Sequence, residues 1–202
     1  MNDCGGKTEL SEEKNSMEEK RFQIIDWSES NFQAKRVKLT LSTYDSYNDI
    51  EKVINEKNYV IAVGYNPSNK TIFNDDETNL YLRDKIANRF KNDPVDGYIL
   101  VNLIPYVTSK SSNIHFDDVK DEYIEDIVKL IESKKRVIVL FFGKIGLKII
   151  EKNNEKFKAL KQAIINSSDE VYYTCSNNDF IHPAQKNNNY EIKEWKDGLL
   201  DI

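Results

Sequence analysis

The sequence predicts an α/β fold: a three-layer sandwich in which helices flank a central, mostly parallel four-stranded sheet. Four short apolar runs rich in β-branched and aromatic residues are typical of strands buried on both faces. Between them lie segments whose apolar residues recur at three- and four-residue intervals, which indicates amphipathic helices. The predicted strands end near residues 64, 102, 143 and 182, and these ends are 38, 41 and 39 residues apart. Such spacing suits repeated strand–helix units with right-handed crossovers.

The N-terminal part of the chain differs from this repeating pattern. Residues 1–20 are polar and rich in Glu, Lys and Asn, so we expect a flexible tail, followed by a single α/β domain over residues 21–202. The apolar residues of segment 22–27 are expected to dock as a short strand or turn. Segment 36–43 alternates polar and apolar residues, which predicts a half-buried strand. The sequence thus allows for extra N-terminal antiparallel strands at one edge of the sheet.

The remaining elements alternate along the chain. The predicted buried strands are 60–63, 98–101, 136–143 and 171–175, and the predicted helices are 47–54, 80–90, 121–133, 144–150, 159–166 and 190–200. In the last helix we expect Ile192, Trp195 and Leu199 to face inward. The charged stretch 151–158 is interpreted as a solvated face.

Composition narrows the classes of function. The chain has 202 residues, a formal net charge of -5, and no apolar stretch of the length that spans a bilayer. No secretion signal is recognisable, so we expect a soluble cytoplasmic protein that does not bind membranes. Cys4 and Cys175 are too few for a zinc site or an iron–sulfur cluster, and we expect no metal and no cofactor. The acidic balance argues against coating nucleic acid by bulk charge, although a local basic face is compatible with it.

Polar residues follow the predicted strands at the points where those strands end. Asn66 lies in the turn after the first buried strand, Asn102 follows the second, and His182 follows the fourth. Because the carboxyl ends of parallel strands share one edge of a sheet, these three side chains are expected to meet in a common crevice. Two amides and one imidazole, without an evident Ser or Cys nucleophile, suit the reading of a base edge and the stabilisation of an anion.

Each of these residues has a purely structural alternative. An Asn before a Pro commonly forms a turn, which is the alternative for Asn66. The acidic segment 74–78 can cap the helix that follows it as readily as it can serve a site. His182 alone is also compatible with a capped loop histidine. His115, the only other histidine, is assigned no role.

Four short motifs carry a family resemblance over roughly residues 58–186. They are Gly64-Tyr65-Asn66-Pro67-Ser68, Val101-Asn102-Leu103, Phe141-Phe142-Gly143 and His182-Pro183. Their order resembles that of the uracil-DNA glycosylase superfamily. More closely, Asn66-Pro67-Ser68, Asp76-Glu77-Thr78 and Asn102-Leu103 resemble the bacterial and phage family called domain of unknown function 1643. Asp76-Glu77-Thr78 differs from that family's usual Asp-Pro-Thr, so Asp76 is given no fixed role.

The resemblance implies a uracil-DNA glycosylase-like fold and specific roles. Asn66 would hold a water, Asn102 would recognise the base, and His182 would stabilise the departing base, which makes Asn66 and His182 the expected catalytic residues. Tyr65 or Phe142 could stack on the base. The full set of expected base- or ligand-binding residues is Gly64, Tyr65, Ser68, Asn102, Phe142 and Gly143.

The expected function is therefore that of a glycosylase-like hydrolase or base-recognising protein acting on a nucleobase in DNA or in a nucleotide. Asn66 cannot act as a general base, because an amide does not take up a proton at neutral pH. The segment after His182-Pro183 lacks an apolar wedge for base flipping, so single-stranded DNA, a free nucleotide or RNA is the expected partner. The alternative is a non-catalytic protein of the same fold that binds nucleic acid, a nucleotide, or a host or phage protein.

Overall fold

The structure, a computed structural model, describes residues 19–28, 40–67, 77–107, 119–133, 137–167, 171–176, 179–182 and 190–194. Its strands are β1 (Phe22–Asp26), β2 (Thr40–Tyr44), β3 (Tyr59–Gly64), β4 (Gly97–Asn102), β5 (Ile138–Leu140), β6 (Val171–Ser176), β7 (Asp179–Phe180) and β8 (Glu191–Glu194). Its helices are α1 (Tyr47–Ile54), α2 (Glu77–Arg89), α3 (Asp121–Glu132), α4 (Gly143–Lys152) and α5 (Asn154–Asn166).

One mostly parallel sheet forms the centre of the molecule. The strand order is β2-β1-β4-β3-β5-β6-β7, and β8 pairs with the outer side of β6. The four central strands β4, β3, β5 and β6 are parallel, which confirms the predicted core of the sheet. The sheet is larger than the four strands predicted, because antiparallel strands extend it on both sides.

Helices cover both faces of this sheet. The larger apolar cluster packs α1, α3, α4 and α5 against one face, and its strand residues include Ile61, Ile99 and Ile138. The smaller cluster packs Leu82 and Ile86 of α2 against the other face. Along each central strand, neighbouring residues belong to opposite clusters, as the alternation of strand side chains requires. The three-layer arrangement explains why these strands are apolar at nearly every position.

Two expectations for the middle of the chain need adjustment. The third buried strand is shorter than predicted: β5 spans only Ile138–Leu140, and Gly143 already begins α4. The segment 151–158 is not simply a solvated face. Helix α5 begins at Asn154, five residues before the predicted helix, and Phe157 within it is fully buried.

The predicted C-terminal helix over residues 190–200 is wrong for the part that the structure describes. Residues Glu191–Glu194 form β8, antiparallel to β6. Tyr190 and Ile192 are buried while Glu191 is exposed, so the local period is two and not three or four. The outer side of β6 offers unpaired backbone groups, and β8 satisfies them. Trp195 and Leu199 lie outside the described residues.

Glu19 and Lys20 are the first residues that the structure describes, and both pair with the segment after β4. Glu19 forms a bridge with Tyr106, and the Lys20 N–H donates to the Pro105 carbonyl at 2.8 Å. The last two residues of the predicted tail thus join the fold, while residues 1–18 lie outside the described part. Strand β2 confirms an antiparallel strand near the predicted 36–43, although residues 36–39 are not described. None of the described helices is long and apolar enough to cross a membrane.

Candidate active site

The carboxyl ends of β3 and β4 lie side by side. Gly64, the last residue of β3, is the register partner of Asn102, the last residue of β4. Gly64 continues the alternation of Val60 and Ala62, and Asn102 that of Tyr98 and Leu100, so both lie on the face that α2 covers. The Asn102 side chain is only 3% exposed. An amide is therefore placed at the strand edge in a largely desolvated position.

Glycine at position 64 makes room for this amide. A Cβ atom there would lie 2.5 Å from Oδ1 of Asn102 and 2.5 Å from Cζ of Phe141, which is closer than Cβ atoms approach non-bonded heavy atoms in proteins. A side chain at position 64 would force Asn102 or Phe141 to move. Gly64 thus allows the amide of Asn102 and the ring of Phe141 to lie close together.

The ring of Phe141 also contacts His182. The two ring centroids are 5.9 Å apart, with an angle of 45° between the ring planes. The backbone of Gly143 lies against the backbone of His182. The φ angle of Gly143 is +63°, and a Cβ atom at this position would lie 2.7 Å from the backbone nitrogen of His182. We call Gly64, Asn102, Phe141, Gly143 and His182 the strand-end site, because contacts link them in a continuous row.

A hairpin fixes the backbone just before His182. Strand β7 folds back on β6, and the Ile181 N–H donates to the Thr174 carbonyl at 3.1 Å. The hydroxyl of Thr174, which is fully buried, donates in return to the Ile181 carbonyl at 2.6 Å. His182 therefore follows a residue held by two hydrogen bonds, and its imidazole is directed towards Phe141.

Burial decides the protonation of His182. The side chain is half-buried, and burial lowers the pKa of His182 from 6.5 to about 4. At neutral pH the imidazole is uncharged, with one nitrogen that donates and one that accepts a hydrogen bond. A neutral donor in an apolar surrounding can stabilise an anion without first losing a proton.

The turn that carries Asn66 is tied to the end of β4. The Leu103 N–H donates to the Gly64 carbonyl at 2.9 Å, and the Ile104 N–H donates to the Tyr65 carbonyl at 3.1 Å. Asn66 is half-buried, and its Nδ2 donates to the Pro67 carbonyl at 3.2 Å. Asn66 thus lies two residues beyond the strand-end site in a turn that its own side chain helps to form. Ser68 lies outside the described residues.

Two predicted ligand-binding aromatics lie in the opposite layer. Phe142 is fully buried in the larger cluster, with its ring centroid 5.1 Å from that of Phe180. Tyr65 belongs to the same cluster and is 9% exposed, and burial raises the pKa of Tyr65. The structure does not bring either side chain to Asn102 and His182.

Phe141 is the residue that the sequence interpretation missed. Val139 and Phe141 belong to the cluster on the α2 face, whereas Ile138, Leu140 and Phe142 belong to the other cluster. The period-two alternation of a strand would have assigned Phe141 to the face of Asn102, had it been applied past the end of β5.

A groove elsewhere on the molecule does not involve these residues. It has a volume of about 490 Å³ and separates α3 from α5 on the other face of the sheet. Its floor includes Ile124, Val128 and Ala159, and its rim includes the ion pair of Lys156 with Asp121 at 3.3 Å. The Asp121 side chain is 83% exposed, so this rim is ordinary solvated surface. Within the described ranges, no three His, Cys, Asp or Glu side chains come together as a metal site.

Comparison with known proteins identifies the family. The family model described as "Protein of unknown function (DUF1643)" matches residues 50–184, more than half of the 202 residues. That range includes every residue of the strand-end site. Comparison with curated proteins and with solved structures gives no significant match. The chain therefore belongs to the DUF1643 family, as its motifs predicted.

Proposed function

We propose that the strand-end site recognises a nucleobase and releases it from its sugar by hydrolysis of the N-glycosidic bond. The observation that carries this proposal is the placement of a buried amide, Asn102, and a neutral imidazole, His182, beside the same aromatic ring, that of Phe141. The order of the motifs, which resembles that of the uracil-DNA glycosylase superfamily, supports the same chemistry. The substrate would be a base in single-stranded DNA, RNA or a nucleotide.

Asn102 would read the edge of the base. An amide offers a donor and an acceptor side by side, which matches a base edge that presents the complementary pair. Because Asn102 is 3% exposed, water competes poorly for these hydrogen bonds once the base is bound. A base without the complementary edge would leave the buried amide unpaired, which disfavours its binding.

His182 would stabilise the leaving base. When the bond between the sugar and the base nitrogen breaks, its electron pair stays on the base, and the negative charge spreads to the base oxygens. The N–H of a neutral imidazole can donate to such an oxygen, and losing one donor of this kind costs about 2.7–4 kcal/mol in other enzymes. Water adds to the sugar carbon, and one of its protons ends on the departing base. Asn66 would hold this water through its amide oxygen.

The test is a base-release assay. Purified protein is incubated with single- and double-stranded oligonucleotides that carry uracil, mismatched thymine or modified bases, and abasic sites are detected by alkaline cleavage. We expect release from at least one substrate, and we expect Asn66→Ala and His182→Ala to abolish it. Asn58→Ala and His115→Ala are the matched controls. The Asn58 side chain donates to the Pro94 carbonyl near the start of β3, and His115 is the other histidine of the chain.

The outcomes separate catalysis from binding. Release that is lost in both site variants and kept in both controls supports the proposal. Full activity in Asn66→Ala and His182→Ala contradicts it. Saturable binding of one oligonucleotide without any release would favour the non-catalytic alternative, in which the same amide recognises a base but no bond is broken.

A further inference from the structure

The pairing of β1 with β4 is interrupted at Asn102. The antiparallel register runs from Asp26 opposite Gly97 to Phe22 opposite Val101. Pairing resumes where the Lys20 N–H donates to the Pro105 carbonyl. Between these points a single residue, Arg21, faces the three residues 102–104. The strand therefore bulges at the residue that the proposed function assigns to base recognition, and bulges commonly redirect a side chain.

Because of this bulge, the backbone of Asn102 has no β1 residue paired with it. In a strand, the backbone groups of successive residues point alternately to the two neighbouring strands. The Leu103 N–H donates to Gly64 of β3, so the N–H and C=O of Asn102 point to the β1 side. There the ladder is interrupted. Buried backbone groups left unpaired are costly, so another partner is required.

The hydroxyl of Tyr123, on α3, fills this gap. It donates to the Asn102 carbonyl at 2.6 Å and accepts from the Asn102 N–H at 3.3 Å. The Arg21 carbonyl lies 3.4 Å from the same oxygen. Tyr123 is fully buried, and its ring is held by the edge of Phe22 at 6.1 Å and by the Arg21 guanidinium at 5.9 Å. The hydroxyl thus occupies the place of a strand in the ladder.

We propose that Tyr123 is a positioning residue: its hydroxyl fixes the backbone of Asn102 and so aims the Asn102 amide at the base edge. The inference rests on the proposed function for the identity of the ligand. The side-chain amide of Asn102 has little freedom to move, because its oxygen lies so close to position 64 that only glycine fits there. A small rotation of the Asn102 backbone would therefore misalign the donor and acceptor of its side-chain amide with the base edge, while the rest of the fold stays in place.

The test compares two removals of a buried tyrosine hydroxyl. Tyr123→Phe removes the group that holds Asn102. Tyr59→Phe removes a hydroxyl that donates to Asp26 at the other end of β3, where the strand begins. Binding of single-stranded oligonucleotides is measured with one uracil and with one N3-methyluracil, whose recognition edge is blocked. The readout is the ratio of the two affinities, because a loss of stability alone lowers both affinities equally.

In Tyr123→Phe we expect the affinity for uracil to fall on the order of tenfold and the ratio to move towards one. In Tyr59→Phe we expect the ratio of the unmodified protein. An unchanged ratio in Tyr123→Phe, or an equal change in both variants, overturns the inference. Hydrogen exchange of the Asn102 amide in the ligand-free protein gives a second measure, and we expect faster exchange in Tyr123→Phe alone.

These measurements separate this inference from the proposed function. If the unmodified protein does not distinguish the two oligonucleotides, base-edge recognition fails. The exchange rate of the Asn102 amide then decides the positioning role by itself, and an unchanged rate in Tyr123→Phe overturns it.

Discussion

The two ends of strand β3 carry titratable groups that the protein treats in opposite ways. At its start, Asp26 accepts hydrogen bonds from Lys57 at 2.6 Å, from Tyr59 at 2.5 Å and from the N–H of Ser28 at 2.8 Å. We call these four residues the Asp26 cluster. At the other end, His182 packs against the ring of Phe141 and the backbone of Gly143. Burial opposes charge at both ends: at Asp26 three neighbouring residues outweigh it, whereas at His182 it lowers the pKa.

The pKa values record this difference. Burial alone would raise the pKa of Asp26, but Lys57, Tyr59 and Ser28 together lower it from 3.8 to about 2. Burial lowers the pKa of His182 from 6.5 to about 4. The Asp26 cluster keeps a charge and ties β1 to β3, which is a structural task. The strand-end site keeps the imidazole of His182 neutral in a desolvated position. This arrangement lowers stability in acid, and shifted pKa values of this kind are common at functional sites.

The largest expected effect is the loss of stability that His182 causes in acid. Above pH 6.5 His182 is neutral in both the folded and the unfolded chain, and below about pH 4 it is charged in both. Between these values only the unfolded chain binds the proton, so the free energy of unfolding falls as the pH falls. The full loss is roughly 3 kcal/mol, at about 1.4 kcal/mol per pKa unit.

His182→Leu should remove this loss. Urea denaturation at pH 7.5 and pH 4.5 would then show a smaller difference for the variant than for the unmodified protein. The unmodified protein controls for His115, since both proteins contain it. Parallel stability curves for the two proteins would mean that His182 is not desolvated in the folded state, and the comparison of the two ends of β3 would fail.

The second effect concerns the Asp26 cluster. In Asp26→Asn an amide replaces the carboxylate that accepts hydrogen bonds from Ser28, Lys57 and Tyr59, and we expect the free energy of unfolding at pH 7 to fall by roughly 2 kcal/mol. The stabilisation by Asp26 is present above pH 3.8 and is lost as the pH falls through about 2. The difference between the variant and the unmodified protein should therefore shrink in that window, as measured by urea denaturation. Base release per folded molecule should not change, and a change would show that the two ends are coupled.

The sequence predicted the central strands because their physical signal is local. Four apolar runs buried on both faces cannot be placed anywhere except inside a layered sheet. The failure at residues 191–194 has the opposite origin. Ile192 fits a helix with Trp195 and a strand with Tyr190, so spacing alone does not decide. What decides is the outer side of β6, whose backbone groups β8 pairs. That requirement belongs to the assembled sheet and not to the segment.

The strand-end site divides in the same way. Asn102 follows from the rule that the ends of parallel strands share an edge. His182 is brought to that edge by β7, which folds back antiparallel on β6 and which the sequence did not predict. The choice between Phe141 and Phe142 depends on which face each ring takes after β5 ends, and neighbouring aromatics give no local sign of it. Tyr123 could not be recognised at all. It lies on the buried side of α3, 21 residues from Asn102, where the helical pattern indicates only burial.

The smallest expected effect concerns the relative strength of the two contacts that Asp26 makes with Lys57 and with Tyr59. The Lys57 side chain is 39% exposed, so water can replace the carboxylate as its partner, whereas Tyr59 is 2% exposed. Lys57→Met keeps the apolar stem and removes the charge, and we expect it to lower the free energy of unfolding by less than about 1 kcal/mol. Tyr59→Phe should cost more, because it removes a buried hydrogen bond to a charged group. Urea denaturation of both variants at pH 7 gives the order. If Lys57→Met proves the more destabilising, the Asp26 cluster is held mainly by its ion pair. The two ends of β3 then differ because one carries paired charges and the other is uncharged, and not because of buried hydrogen bonding.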